Sequence, residues 1–129
     1  MALSKSDILG LDDIKTKEIE VPEWGGSVFI RQLSRGQADE YFSRRFAKSE
    51  LKQSGRNQSS VESDVKLFGH DAWLVAQAVC DENGQRLFSN SDVKELEKKN
   101  SNAIGRIAVA IVDFSGMGQD VEELDELKN

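Results

Sequence analysis

Residues 20–34, EVPEWGGSVFIRQLS, decide the fold of the N-terminal part of this 129-residue chain. Two apolar-alternating runs flank Gly25-Gly26. A glycine pair in that position is typical of a two-residue β-hairpin turn, because both central residues of a type I′ turn need positive φ. Pairing across that turn predicts two cross-strand pairs, Val21–Ile30 and Glu20–Arg31. An isolated hairpin is marginal in water, so we expect this one, at about residues 17–33, to pack on helices or on another chain.

Pro22 has no N–H and cannot donate to a ladder, so we expect it to face outward at an edge of this hairpin. An open strand edge can accept a strand from a partner.

Apolar periodicity after the hairpin predicts four helices and an acidic segment with helical spacing. Ser34 is expected to cap the first helix. The second helix has the longest apolar stripe, widened by Trp73 and Leu74, and is expected to pack centrally on two sides. The predicted helices cover residues 35–50, 62–81, 91–99 and 102–115. The last of them should face inward with Ile104, Ile107, Ala108, Ile111 and Val112.

The predicted fold is therefore mainly α, of the α+β class. An N-terminal β-hairpin precedes a small bundle of about four to five helices, in one domain over residues 1–129. A short helical turn is expected within residues 1–14. Residues 52–63, KQSGRNQSSVES, predict a flexible connector. Residues 119–129 predict an acidic C-terminal tail, too short to be a stable helix alone.

Asn83-Gly84 predicts a turn after the second helix, with positive φ at these residues. We expect Leu87 and Phe88, just beyond it, to pack back into the core.

The composition excludes several functions. A net charge of −6 disfavours nucleic acid, which attracts positively charged proteins. No apolar run approaches the length of about 20 residues that spans a bilayer, and the N-terminus lacks the features of a signal peptide. One cysteine forms no intrachain disulfide. We therefore expect a soluble cytoplasmic protein that does not bind membranes or nucleic acid.

The residues offer almost no catalytic chemistry. His70 and Cys80 are the single histidine and cysteine. On one helix they lie about 15 Å apart along the axis, far beyond hydrogen-bond reach. We expect Cys80 near the edge of the core and His70 at the surface. No phosphate-binding loop, metal-ligand spacing or calcium loop is present, so we predict no catalytic residue, metal or cofactor.

The order of these signals resembles the tail assembly chaperones of long-tailed, lambda-like bacteriophages. The residues that carry the resemblance are MALSKSDIL at the start, Pro22-Glu23-Trp24-Gly25-Gly26, Leu33-Ser34-Arg35-Gly36, and Asp81-Glu82-Asn83-Gly84 through Leu87-Phe88 to Ser91-Asp92-Val93. The resemblance covers residues 2–115. Order and spacing, rather than one motif, make it specific.

This resemblance implies a non-enzymatic protein that acts in the bacterial host during tail morphogenesis and is absent from the mature virion. Such proteins coat the tape measure protein, keep it soluble and recruit tail tube subunits. Many also exist in a longer form made by ribosomal frameshifting. Weak self-association fits the same role, because repeated weak contacts gain strength through avidity.

Four apolar residues are the candidate partner contacts: Trp24 at the hairpin tip, and Val121, Leu124 and Leu127 on the tail. Alternatively, Trp24 packs locally on the first helix and the tail residues dock within the chain. Three other functions remain open at this point: an acidic adaptor or inhibitor that mimics DNA charge, a minor structural tail component, and a small enzyme.

Overall fold

A computed structural model of the chain describes residues 1–54 and 70–118, with side chains for residues 1–45 and 70–118. It confirms the α+β class, with an N-terminal hairpin followed by helices. The elements, in chain order, are α1 (Lys5–Leu9), β1 (Thr16–Val21), a 3-10 turn (Pro22–Trp24), β2 (Gly26–Arg31), α2 (Arg35–Ser54), α3 (His70–Ala78), β3 (Val79–Cys80), a second 3-10 turn (Asn90–Asp92), α4 (Val93–Leu96) and α5 (Ser101–Phe114).

The hairpin is present, but its register differs from the prediction. β1 and β2 are antiparallel, with Val21 opposite Gly26 and Lys17 opposite Ile30. Two predicted pairs are therefore wrong, Val21–Ile30 and Glu20–Arg31. Val21 pairs with residue 26 instead of residue 30, a shift of four positions. An even shift keeps each side chain on its face of the sheet, so Val21 and Ile30 are both fully buried nonetheless.

Pro22 accounts for the different turn. Its fixed φ suits the first position of a helical turn, and it opens the 3-10 turn that ends β1. Pro22 was predicted to lie at an edge of the hairpin, facing outward. It lies instead in the turn that follows β1. The Gly25 N–H donates to the Pro22 carbonyl at 3.0 Å. Gly25 has φ 70°, whereas Gly26 already belongs to β2, so residues 22–25 join the strands and the predicted type I′ turn is wrong.

β3 is absent from the sequence-based prediction, which continued the second helix through residue 81. The helix ends at Ala78, and β3 pairs antiparallel with β2, with Val79 opposite Ile30 and Cys80 opposite Phe29. The sheet order is β1-β2-β3. A short apolar run fits a helix stripe and a strand equally well, and here pairing with β2 decides between them.

α3 lies at the centre of the core, as predicted. All of its residues 72–78 are buried, so it packs on more than one side. Gln77 is the buried polar residue among them. Its side-chain NH2 group donates to the side-chain oxygen Oδ1 of Asn90 at 2.6 Å, and its Oε1 accepts from the Gln37 side-chain NH2 group at 3.3 Å.

The structure of α5 and of the start of α2 agrees closely with the sequence-based prediction. The Asn100 side chain accepts from the Ala103 N–H and caps α5. The predicted inward face of α5 is confirmed: Ile104, Ile107, Ala108, Ile111 and Val112 are buried. At α2, the Ser34 hydroxyl accepts from the Gln37 N–H at 3.2 Å, which confirms the predicted cap.

The predictions for the segments between these helices are only partly confirmed. Gly84 has φ 83°, as predicted, but Asn83 does not have positive φ. Phe88 packs on the core, whereas Leu87 is 55% exposed and its predicted burial is wrong. α2 continues to Ser54, past its predicted end at 50 and into the predicted connector.

The rest of the connector at 52–63 and the whole tail at 119–129 lie outside the described residues. The predicted single domain over residues 1–129 remains a prediction.

Candidate functional site

The strongest candidate for a binding surface is an open groove beside the hairpin tip, with a volume of about 520 Å³. Trp24 of the first 3-10 turn lines one side and is 38% exposed. Phe88 and the buried Leu96 of α4 provide further apolar lining. Exposed tryptophan next to a preformed apolar hollow is a typical feature of protein-binding surfaces. Trp24 therefore lies at this groove, and its role as a contact residue stays a prediction.

An ion pair fixes the hairpin tip to the body of the protein. The Arg106 guanidinium of α5 donates to both Glu23 carboxylate oxygens, at 3.2 and 2.8 Å. The side-chain hydrogen bonds from Arg106 hold the pKa of the Glu23 carboxyl below its usual range, and the same bonds raise the pKa of Arg106. A bidentate pair also fixes geometry, so the turn that carries Trp24 is held against α5.

The opposite wall of the groove is fixed by caps and a buried polar network. The Ser89 N–H donates to Asp92 at 2.8 Å in a capping box that begins the second 3-10 turn. Asn90 accepts from Gln77 at 2.6 Å and from Arg86 at 3.0 Å. These bonds tie the start of this wall to α3, so the groove is formed before any partner binds.

Three charged residues also line the groove. Asp92 and Glu95, one helical turn apart, supply carboxylates, and Lys99 supplies an ammonium group at the C-terminal end of the same wall. Glu95 forms an exposed ion pair with Lys98 at 3.3 Å.

A second exposed apolar surface is the N-terminal arm, which we define as residues 1–11. Its helix α1 has a capping box between Ser4 and Asp7 but buries no residue. The large apolar side chains of the arm are all more than half exposed: Met1, Leu3, Ile8, Leu9 and Leu11.

The base of this arm lies at a separate, polar hollow. Asp12 and Lys15 line that hollow of about 440 Å³ together with Gly84. The Arg31 guanidinium donates there to the Gly84 carbonyl at 3.1 Å.

The remaining residues singled out in the sequence are three in the C-terminal tail, the histidine and the cysteine. Val121, Leu124 and Leu127 lie outside the described residues and stay predictions. His70 is not a surface residue: its side chain is 16% exposed and its ring meets the Tyr41 ring edge-on at 6.2 Å. Cys80 is buried in β3, and burial raises the pKa of its thiol.

The groove lining at Phe88, Leu96 and the charged residues was missed by sequence reasoning. Phe88 and Leu96 carried apolar signals that indicated core packing, and nothing local marks their approach to the hairpin tip. The approach depends on where α5 holds Glu23, which is a long-range contact.

The described ranges, residues 1–54 and 70–118, contain no group of three or more His, Cys, Asp or Glu side chains placed to hold a metal ion. No helix in that part of the chain is long and apolar enough to cross a membrane.

A family profile and a solved structure that are similar to this chain both describe tail assembly chaperones. The sequence profile described as phage tail assembly chaperone matches residues 9–127 of this chain. The structure of the bacteriophage HK97 tail assembly chaperone is similar in fold, with a TM-score of 0.55 at 17% sequence identity. That similarity covers 81% of this chain and 84% of the HK97 chain. No curated protein sequence is significantly similar to this chain.

Proposed function

The chain belongs to the phage tail assembly chaperone family, a family of non-enzymatic chaperones, and from this premise we propose that it binds the tape measure protein. In this proposal it keeps that long chain soluble and helps to recruit tail tube subunits during tail morphogenesis. It acts in the cytoplasm of the infected or lysogenic bacterial host and leaves before the virion is complete.

The observation that carries the proposal is the groove beside Trp24. A tape measure protein is a long, helix-rich chain whose apolar stripes are exposed before assembly. A chaperone for such a chain needs an accessible apolar surface on an otherwise charged body. The groove supplies the surface, and the net charge of −6 favours solubility of the complex.

Several weak sites serve this task better than one tight site. Contacts that repeat along a long partner gain affinity by effective concentration while each remains reversible. We propose Trp24 as one contact, and Val121, Leu124 and Leu127 of the acidic tail as a second set. Weak self-association of the chaperone along its partner belongs to the same proposal.

The test is co-expression with the tape measure protein encoded in the same tail gene cluster, followed by affinity purification and a solubility assay. We expect the tape measure protein to remain soluble and to co-purify only when this chain is present. Trp24→Ala should weaken recovery, whereas Leu87→Ala, which also truncates an exposed apolar side chain but lies outside the groove, should not.

Two results would contradict the proposal. A tape measure protein that is soluble alone and does not bind would remove its physical basis and favour an acidic adaptor. Detection of this chain in purified virions at a fixed copy number would instead identify a minor structural tail component.

A further inference from the structure

β1 is the open edge of the sheet. The sheet order is β1-β2-β3, and within residues 1–54 and 70–118 no strand lies beyond β1. The other edge is covered. On the far side of β3, the Leu87 N–H donates to the Val79 carbonyl at 3.1 Å and the Asp81 N–H donates to the Gln85 carbonyl at 2.9 Å. An unpaired edge has backbone donors and acceptors that can pair with another chain, so β1 is the place where a strand can be added.

The hydrogen bonds of the hairpin identify the backbone groups that face this open edge. The Gln32 N–H donates to the Lys15 carbonyl at 2.9 Å, so these two opposed residues form a hydrogen-bonded pair. Bonded and non-bonded pairs alternate along an antiparallel ladder, and the register continues without a break over Thr16–Val21. The backbone groups that point away from β2 therefore belong to the alternate residues Thr16, Glu18 and Glu20.

The side chains along this edge make its solvent-exposed face acidic. Glu18 and Glu20 are exposed and share one face, because side chains alternate along a strand. In the described part of the chain neither forms an ion pair. Glu18 accepts a hydrogen bond from the Ser27 hydroxyl, a neutral donor that leaves the carboxylate charge uncompensated. Lys17 lies on the opposite face, with its ammonium 5.2 Å from the centroid of the Phe114 ring.

This charge pattern disfavours a second copy of the chain as the occupant of the edge. Two β1 edges in antiparallel pairing would place outward residues opposite outward residues. The registers that use these backbone groups most fully set Glu18 opposite Glu18 or Glu20 of the second copy. Like charges directly opposite each other are destabilising. Residues 119–129 of the chain are acidic as well, so a basic strand is the complementary occupant.

We propose that β1 binds an extended basic segment of a partner protein by antiparallel strand addition. The segment exchanges backbone hydrogen bonds with Thr16, Glu18 and Glu20. Its Lys or Arg residues, at every second position, lie opposite the two carboxylates, because both strands repeat about every 7 Å. Backbone bonds supply affinity and the alternate side chains supply specificity. The edge is separate from the groove beside Trp24, so this inference goes beyond the proposed function and does not depend on it.

The test uses the whole chain and two seven-residue peptides with blocked ends. Both peptides are rich in valine, and they differ only in having lysines or glutamates at two alternate positions. In calorimetry at low salt, we expect the lysine peptide to bind about tenfold more tightly than the glutamate peptide. NMR hydrogen exchange should become slower at the amides of Thr16, Glu18 and Glu20. It should be unchanged at Lys17 and Ile19, whose amides face β2.

Backbone and charge are tested by separate variants. Glu18→Gln removes the charge alone and should weaken binding of the lysine peptide about threefold. Glu18→Pro also removes an outward N–H and should abolish binding, and Thr16→Pro should weaken it without a change of charge. Proline at an outward position of an edge strand leaves the ladder to β2 intact, and circular dichroism checks the fold. The control Glu97→Gln, at an exposed residue outside the sheet, should leave binding unchanged.

Three results would overturn this proposal. Equal binding of the two peptides, or no binding, would mean that the carboxylates only protect the edge from other strands. Equal weakening by Glu18→Gln and Glu18→Pro would mean that charge acts without strand addition. Slower exchange at the three outward amides on concentrating the chain without peptide would identify a second copy as the occupant. None of these results bears on binding of the tape measure protein, so the proposed function is tested separately.

Discussion

Helices α1 and α5 begin with the same kind of side-chain cap but differ in how much apolar surface they bury. Ser4 accepts a hydrogen bond from the Asp7 N–H, and Asn100 accepts one from the Ala103 N–H. α5 then buries one whole apolar face against the sheet and α3, whereas α1 buries nothing. A cap decides where a helix starts, but packing of its apolar face supplies most of its stability.

Apolar residues therefore have two different roles in this small protein. The apolar residues of α5 hold the fold together, and Arg106 on the same helix fixes the hairpin tip. Those of the N-terminal arm remain free for other contacts. Matched substitutions in the two regions test whether this separation is real.

The largest expected difference comes from truncating apolar side chains. Ile107→Ala removes a fully buried side chain and should lower the free energy of unfolding by about 2–5 kcal/mol. Leu9→Ala removes an apolar side chain that is 74% exposed and should change it by less than about 0.5 kcal/mol. Urea unfolding followed by circular dichroism measures both. A loss at Leu9→Ala comparable to that at Ile107→Ala would show that the arm is part of the core.

A smaller effect is expected at the hairpin tip, which belongs to the fixed region. Gly25 has φ 70° and Gly26 does not have positive φ, and a Cβ would meet nothing within 4 Å at either residue. Gly25→Ala should therefore cost about 1–2 kcal/mol because of backbone strain alone. Gly26→Ala should cost less than Gly25→Ala. Thermal unfolding of the two variants compares them, and equal losses would favour the type I′ turn that the structure replaces.

Removing the caps gives a still smaller difference. Ser34→Ala should lower the free energy of unfolding by about 1 kcal/mol, because the Gln37 N–H loses its acceptor at the start of α2. Ser4→Ala should leave global unfolding unchanged, since α1 unfolds without exposing core. Chemical denaturation measures both, and a shared loss of stability would contradict the independence of the arm.

The weakest effect is expected in the pH dependence of stability. The Arg106 hydrogen bonds keep the pKa of Glu23 below its ordinary value of about 4.3. Stability from this pair is therefore present above that value and is lost as pH falls through the lower pKa of the folded state. Glu23→Gln should lose less stability than the wild type on acidification from about pH 6 to pH 3.

Asp7 of the arm provides the matching control for this pH effect. The Ser4 N–H also lowers the pKa of the Asp7 carboxyl. Because α1 buries nothing, Asp7→Asn should leave the pH dependence of global unfolding as it is in the wild type. An equal change in both variants would mean that α1 and the hairpin tip unfold together.

Local signals predicted much of the fold and little of the site. The spacing of Ile104, Ile107 and Ile111 determines a buried helix face without any knowledge of its partner. Ser34 likewise indicates a helix start from its position before the apolar stripe. In contrast, Val79 fits both a helix stripe and a strand, and only pairing with Ile30 resolves it.

The groove could not be predicted from the sequence for a related reason. Trp24 is a sequence-based candidate because it stands at a turn, yet its surroundings depend on the Glu23–Arg106 pair and on the position of α4. These are contacts between residues far apart in sequence. Local patterns therefore indicated one residue that lines the groove and missed the wall opposite it.

Hydrogen exchange on the chain alone and in complex with the co-purified tape measure protein tests the central claim most directly. Amides that lose solvent access on binding exchange more slowly. We predict slower exchange in residues 22–25 and 88–99, on both sides of the groove, with exchange in the N-terminal arm unchanged. Protection confined to residues 1–11, or no protection in a confirmed complex, would contradict the assignment of the groove as the chaperone's binding surface.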